Sequence, residues 1–433
     1  MFPRITRAPS KNIIWSRLLG PSNVRIKMDC ISGTNDVFAS LEQAFSNAVE
    51  DGVFPGAVLA ATNGNGSFHY ARAFGHKTVD GTQSPLTANS VMAIASMTKL
   101  LTSIAALQLV ERQIVDLDQD VSCMIPSLAA QQVFTGWSTS GQYIVHDRKN
   151  AITLRHLLTH SSGAGYDMSN ADLAKVTSSL GRKVNVGATV NDRFGYPLLF
   201  EPGSSWEYGT SLDWVGQLIE HLTGQDLESY MQENIWVPLS IQKMTFWPSR
   251  RGEMAAERVQ MTRRDESSGR VVPLGTPFLT EEVTECFGGQ GVYATMDDFM
   301  KVLRSILVDD GKLLAKGTSA TMFQPQLGDD SRQSLHDYIG THDAEPAFIG
   351  MPDNSGVYDW GLGGMLAMND EPSGWKKNTL FWSGKPNLFW FIDRTSDLCG
   401  VFGTQVLPPG DKPVGNMIQL FKKSLYKIAP SSN

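Results

Sequence analysis

The run from Val91 to Val110 carries one charged side chain, Lys99, among aliphatic and small residues. So much apolar chain must enter a bilayer or a large protein core. Ser96, Thr98, Lys99, Thr102, Ser103 and Gln108 interrupt it too often for a bilayer, so no membrane span is expected and the run reads as a buried helix. A chain of 433 residues can supply the surrounding core and divide into two lobes that meet at a cleft. Hydrophobic residues at 41% and charged residues at 19% are ordinary for a compact soluble protein.

Around that run the hydrophobic period changes along the chain. Phe38, Leu41, Phe45 and Val49 recur at helical spacing between Asn35 and Asp51, and Gly52 and Pro55 end the pattern. Gly56 to Thr62 and Phe68 to Phe74 read as two strands joined by the turn residues Asn63-Gly-Asn-Gly66. From Asp116 to Thr280 the signals are mostly helical, with loops near residues 161–165 and 203–209. Strand patterns return at Thr379 to Trp382, Asn387 to Asp393 and Cys399 to Gln405, before an amphipathic helix from Val414 to Tyr426. This order predicts an α/β (α+β) fold whose antiparallel sheet is formed from both chain ends and flanked by helices, plus a mainly helical insertion lobe with the active site between. The expected division is 28–115 with 285–433 for the sheet lobe and 116–284 for the helical lobe.

The first 27 residues contain six basic residues and no acidic one. They fit a disordered basic leader, either an organelle transit segment or an extension upstream of a second start at Met28. Beyond it the formal net charge of −7 and the lack of a long basic run speak against nucleic acid and against a polybasic membrane patch. Cys30, Cys123, Cys286 and Cys399 lie far apart, as free thiols of a reducing, cytoplasmic setting do, and no metal or other cofactor is expected.

Four Ser-x-x-Lys matches occur, so the bare motif decides nothing. Ser373 stands between Pro372 and Gly374, Ser240 follows Pro238, and Ser424 sits among Lys422, Lys423 and Lys427, all contexts that suit surface pairs. Ser96 differs, because it opens the buried run and places Lys99 one helical turn on, facing the same way. A serine at a helix N-terminus meets free N–H groups and a positive dipole end, which favour an oxyanion. A lysine buried in apolar surroundings is pushed toward its neutral form and can accept the serine proton. Read alone, Ser96 could equally cap the helix while Lys99 snorkels.

Further segments change that balance. Ile94-Ala-Ser-Met-Thr-Lys-Leu100, Ile152-Thr-Leu-Arg-His-Leu-Leu-Thr-His-Ser-Ser-Gly163, Phe200-Glu-Pro-Gly-Ser-Ser-Trp-Glu-Tyr-Gly209 and Glu285-Cys-Phe-Gly-Gly-Gln-Gly-Val292 follow in order. Together they resemble the serine β-lactamase and penicillin-binding superfamily in its class C-like esterase branch. Phe287-Gly-Gly-Gln-Gly, Gly361-Leu-Gly-Gly364 and Trp382-Ser-Gly-Lys-Pro-Asn387 are similar to fungal acyltransferases that attach the side chain of lovastatin-type polyketides. The resemblance spans about Asp36 to Tyr426.

What the resemblance implies is a serine-dependent acyltransferase: Ser96 as nucleophile, Lys99 and Tyr208 as its proton-handling partners, and an oxyanion hole from the backbone N–H groups of Ser96 and of Gly384 or Lys385. It further implies a thioester of coenzyme A or of an acyl carrier protein as donor and a secondary-metabolite alcohol as small-molecule acceptor. Trp382, Ser383, Trp390, Trp360 and Gly363 are candidate substrate contacts, with core packing as the plain alternative for the tryptophans. Where lactamases carry Lys-Thr-Gly this chain has Trp382-Ser383-Gly384, and where they carry asparagine it has Thr210. Lys385 should point away from the face of Gly384. Those departures favour esters and thioesters over β-lactams. An esterase or thioesterase, a β-lactamase and a silent binding protein on the same scaffold remain as alternatives. His156 and His160 have the spacing of a zinc pair but no Glu beside the first, and a structural role in the loop is preferred. No Gly-x-Ser-x-Gly offers a competing nucleophile.

Overall fold

A computed structural model describes residues 32–428 apart from 82–84, 280–282, 341–347, 351–355 and 373, with side chains from residue 36. The basic leader, Met28, Cys30 and Ser373 therefore lie outside the described residues.

Seven antiparallel strands form one sheet, in the order Tyr358–Trp360, Met365–Ala367, Leu380–Gly384, Leu388–Asp393, Leu398–Gly403, Gly56–Thr62, His69–Gly75. The two chain ends meet inside it, because Val58 faces Gly403 and Thr62 faces Cys399. Burial explains why the C-terminal strands read as unbroken apolar runs: Leu380 to Gly384, Leu388 to Asp393 and Leu398 to Gly403 are buried at every residue. Sheets covered on both faces lose the polar alternation. Helices Ser32–Glu50 and Lys412–Ile428 cover one face, where Phe45 stacks near Phe54 and Phe402. Met296–Val308 covers the other, and its Met296 comes so near Gly403 that a Cβ there would sit 2.6 Å from the sulfur.

The long apolar run is shorter as a helix than its composition predicts. Met92–Ala93 is a strand paired with Tyr293–Ala294, Ala95–Met97 is a single 3-10 turn, and the α-helix is Thr98–Glu111. Ala95 has φ 46°, a left-handed conformation that no α-helix continues through, so Ser96 sits just ahead of the helix. Residues Thr98 to Leu109 are buried all round, packed against Ser211–Thr223 and Leu227–Met231.

Between residues 116 and 280 the structure also holds strands that the helical reading passes over. Val133–Trp137 pairs with Tyr143–His146, and Thr262–Arg264 pairs with Val271–Pro273. Each is too short for period-2 alternation to stand out, and the first pair is broken by a bulge at Gly136. Among the described residues no helix is long and apolar enough to cross a membrane.

Candidate active site

Ser96 owes its position to backbone packing on both sides. The Ile94 N–H donates to Val292 O at 3.0 Å and Met97 N–H donates back to Ile94 O at 3.1 Å, which closes the turn that presents the serine. One helical turn on, the Lys99 ammonium reaches Ser96 Oγ at 3.4 Å. It also donates to Gly289 O at 2.9 Å and to Tyr166 OH at 3.1 Å, so its three hydrogens meet three oxygens in a site where the lysine is 2% exposed.

The glycine-rich segment is strapped to this helix. Thr102 Oγ1 donates to Gly288 O at 2.6 Å, and Val292 N–H donates to Thr98 Oγ1 at 3.1 Å. Below it, Asp213 Oδ1 accepts from Gly289 N–H at 2.9 Å while Oδ2 is buried with no hydrogen-bond partner. A Cβ on Gly289 would lie 2.4 Å from that free oxygen, so only glycine lets the peptide bridge Asp213 and Lys99. Burial pushes the Asp213 carboxyl up to about 6, and the nearby Lys99 charge and the Gly289 N–H pull the other way.

Tyr208 is brought in by a close backbone approach, since a Cβ on the next residue, Gly209, would lie 1.9 Å from Ala164 O. Its ring centroid is 4.7 Å from Lys99 Nζ, but its hydroxyl accepts from the Trp382 indole N–H at 3.0 Å. Direct hydrogen bonding of Tyr208 to Ser96 and Lys99, expected from the sequence, is absent; among the described residues the phenol bonded to Lys99 is Tyr166. Burial, with Asp213 beside it, drives the Tyr166 hydroxyl well above its ordinary value, so it stays protonated. Sequence reading passed over Tyr166, whose only signal is its place three residues beyond Gly163 in the loop segment.

His160 supports this arrangement. Its ring lies 4.7 Å from Tyr208 and 5.0 Å from Trp360, and its Nδ1 accepts from Gly209 N–H at 3.3 Å. Burial and the Lys99 charge hold it well below the usual imidazole range, hence neutral. His156 instead caps its own helix, with Nδ1 accepting from Thr153 N–H. Both rings serve backbone groups. Glu207, beside Tyr208, is pushed by burial up to about 7 and is hydrogen-bonded to Asn170.

Ser96 opens into a cavity of about 300 Å³ walled by Tyr166, Met168, Tyr208, Leu279, Gln290, Tyr338, Ile349, Trp382, Ser383 and Lys385, among others. Of the expected substrate contacts, Trp382 and Ser383 line it. Trp360, Trp390 and Gly363 do not: Trp360 and Trp390 are 1% and 0% exposed, and Gly363 packs under Leu100 and Met322. Trp360 meets Trp382 edge-on at 4.7 Å, which makes it the backing of the wall. Gly384 closes the strand end against the nucleophile turn, where a Cβ would be 2.4 Å from Ile94 O. A second cation joins Lys99 at the site: Lys385, the first residue of the turn after that strand, lines the cavity and places its ammonium 3.2 Å from Met168 Sδ in the wall.

Comparison with known proteins agrees with this geometry. The family described as Beta-lactamase matches residues 41–421. The chain is similar to the ML-236A carboxylate methylbutanoyltransferase of Penicillium citrinum, 37% identical over 403 residues that cover 92% of this chain and 96% of the other. It is similar to the lovastatin esterase of Penicillium rubens, 36% identical over 89% of this chain and 98% of the other. Among solved structures, a mutant simvastatin synthase from Aspergillus terreus superposes with TM-score 0.84 at 36% identity, covering 93% of this chain and 99% of that one.

Proposed function

Starting from a chain that belongs to the β-lactamase family and is an acyltransferase or serine hydrolase of that type, we propose that Ser96 takes an acyl group from a thioester and passes it to the alcohol of a small secondary metabolite. The observation that carries this reading is the Lys99 ammonium held against Ser96 Oγ at the floor of a largely apolar cavity. Ser96 Oγ attacks the acyl carbon and gives its proton to the Lys99–tyrosine cluster as the cluster hands one to the departing sulfur, so that the C–S bond breaks, a thiol leaves and the charge on Lys99 is unchanged. The acceptor oxygen then forms the new ester bond, gives its proton to the same cluster and frees Ser96.

Tyr208 is our choice for the outer proton carrier, because it alone of the two phenols beside Lys99 also bonds to the cavity wall at Trp382. Tyr166 holds Lys99 from the inner side. The Ser96 and Lys385 N–H groups would receive the oxyanion, supported by the close packing of Gly384 on Ile94. Coenzyme A and an acyl carrier protein are both donors whose thioester fits. The relatives' names include both transfer and ester hydrolysis, so which acceptor wins depends on what fills the cavity beside the acyl-enzyme. With Thr210 where lactamases carry asparagine, we place β-lactams behind esters and thioesters.

Intact-protein mass after exposure to butanoyl-coenzyme A should show one acyl adduct on the native enzyme and none on Ser96→Ala. An adduct that survives Ser96→Ala would remove the serine from the mechanism. Adding a polyketide alcohol should divert product from free acid to ester; identical products with and without it would assign a hydrolase.

A further inference from the structure

Lys422 lies in the helix Lys412–Ile428, where the neighbouring Lys423 and Lys427 suggest a solvated face. It is instead 0% exposed, a buried amine that the reaction does not use. Its nitrogen sits 3.5 Å above the Trp375 ring centre and 5.2 Å from that of Phe389, and it donates to Gly350 O at 2.6 Å. Gln419 Nε2, one turn earlier on the same helix, donates to the same oxygen at 3.0 Å. Gly350 fits this place closely, with φ 82° and a backbone on which a Cβ would collide with the Phe389 ring. Burial drives the amine well below its ordinary range while Glu371 opposes the shift, and in either protonation state it has an N–H to give. Burying such a group costs stability that an apolar side chain of the same volume would not. An amine here therefore contributes something other than bulk.

The segment held by these two donors walls the catalytic cavity. Ile349 lines it, and Phe348 stands edge-on to Trp382 at 5.8 Å and stacks on Trp206 at 6.4 Å. Resting on the acyl-transfer reading above, we propose that Lys422 is a positioning residue that fixes the Ile349 side of the cavity and so sets which acyl chain lengths the site prefers. Ile349 is the residue next to the held carbonyl, so a longer acyl chain meets a wall already in place and loses less on binding. An acetyl group, with a single methyl, reaches little of that wall.

The test is binding of two intact neutral esters, 4-nitrophenyl hexanoate and 4-nitrophenyl acetate, to Ser96→Ala, read from quenching of tryptophan fluorescence. Adding Lys422→Met should lower the hexanoate-to-acetate affinity ratio by at least about fivefold, equivalent to roughly one buried methylene, through weaker hexanoate binding. Gln419→Leu, which removes the second donor, should shift the ratio in the same direction and carries the test should Lys422→Met not fold. Ile349→Ala should also lower the ratio, and Lys422→Met added to it should change it by less than about twofold, because a residue that acts through Ile349 then has nothing left to position. An unchanged ratio in Lys422→Met, or in Gln419→Leu where the first does not fold, would overturn the proposal, as would equal weakening of the two esters or full additivity with Ile349→Ala. Failure of the transfer reading shows separately, as absence of the acyl adduct on the native enzyme, and does not alter the binding ratio.

Discussion

Two phenols flank Lys99, and their hydrogen bonds assign them different work. Both line the cavity, but Tyr166 OH receives a Lys99 hydrogen at 3.1 Å, whereas Tyr208 OH is bonded to Trp382 in the cavity wall. Tyr208→Phe should therefore lower kcat by about 10² to 10³ with little change in KM, because it removes a proton carrier from both half-reactions. Tyr166→Phe should cost about tenfold and should not abolish the adduct, since Gly289 O still holds Lys99. Steady-state kinetics on a 4-nitrophenyl ester and adduct mass separate the two; a greater loss in Tyr166→Phe would exchange their roles. The sequence made Ser96, Lys99 and Tyr208 legible because each sits in a short motif with fixed spacing. It hid Tyr166, which folding brings directly onto Lys99, and Asp213, which reaches the lysine through the Gly289 peptide.

At the level of elements, two tryptophans back the cavity in layers, Trp382 on the strand Leu380–Gly384 and Trp360 on the strand Tyr358–Trp360. Trp382 faces the cavity and is braced by Trp360, which is itself enclosed by His160, Trp206 and Tyr208. Trp360→Ala should thus read as a core deletion, losing about 3–5 kcal/mol in urea unfolding. Trp382→Ala should read as a site deletion, with a larger rise in KM and a smaller loss of stability. Equal effects on KM would return Trp360 to the substrate wall. Trp390 stands directly opposite Trp382 on the next strand, so alternation puts both on one face and does not tell which of them reaches the cavity, and nothing in the sequence sets Trp360 apart from them. The terminal strands and both terminal helices were legible because their apolar runs are long. The hairpins of the middle segment were not, because four or five residues carry too little periodicity.

For the whole molecule, the site taxes stability in a pH-dependent way. Glu207 is held at about 7 by burial, above an unfolded value near 4.5, so the native state binds the proton more tightly. Stability from this group is present at low pH and is lost as pH rises through 7. The upper bound on that loss is about 2 to 3 kcal/mol between pH 5 and 8. Glu207→Gln should flatten the curve, gaining more at pH 8 than at pH 5 by chemical denaturation; an equal change at both would remove Glu207 as the cause. Asp213, raised for the same reason, should leave a residual slope below pH 6. Closure of the sheet by its first and last strands has another outcome. The groups that line the cavity beside Ser96 arrive from widely separated stretches of chain, with Trp382 to Lys385 and Pro409 the last of them, and the strand that docks the N-terminal hairpin is Leu398–Gly403. A chain still leaving the ribosome holds its serine long before it holds the machinery to use it, so a covalent serine-directed label reports finished molecules alone.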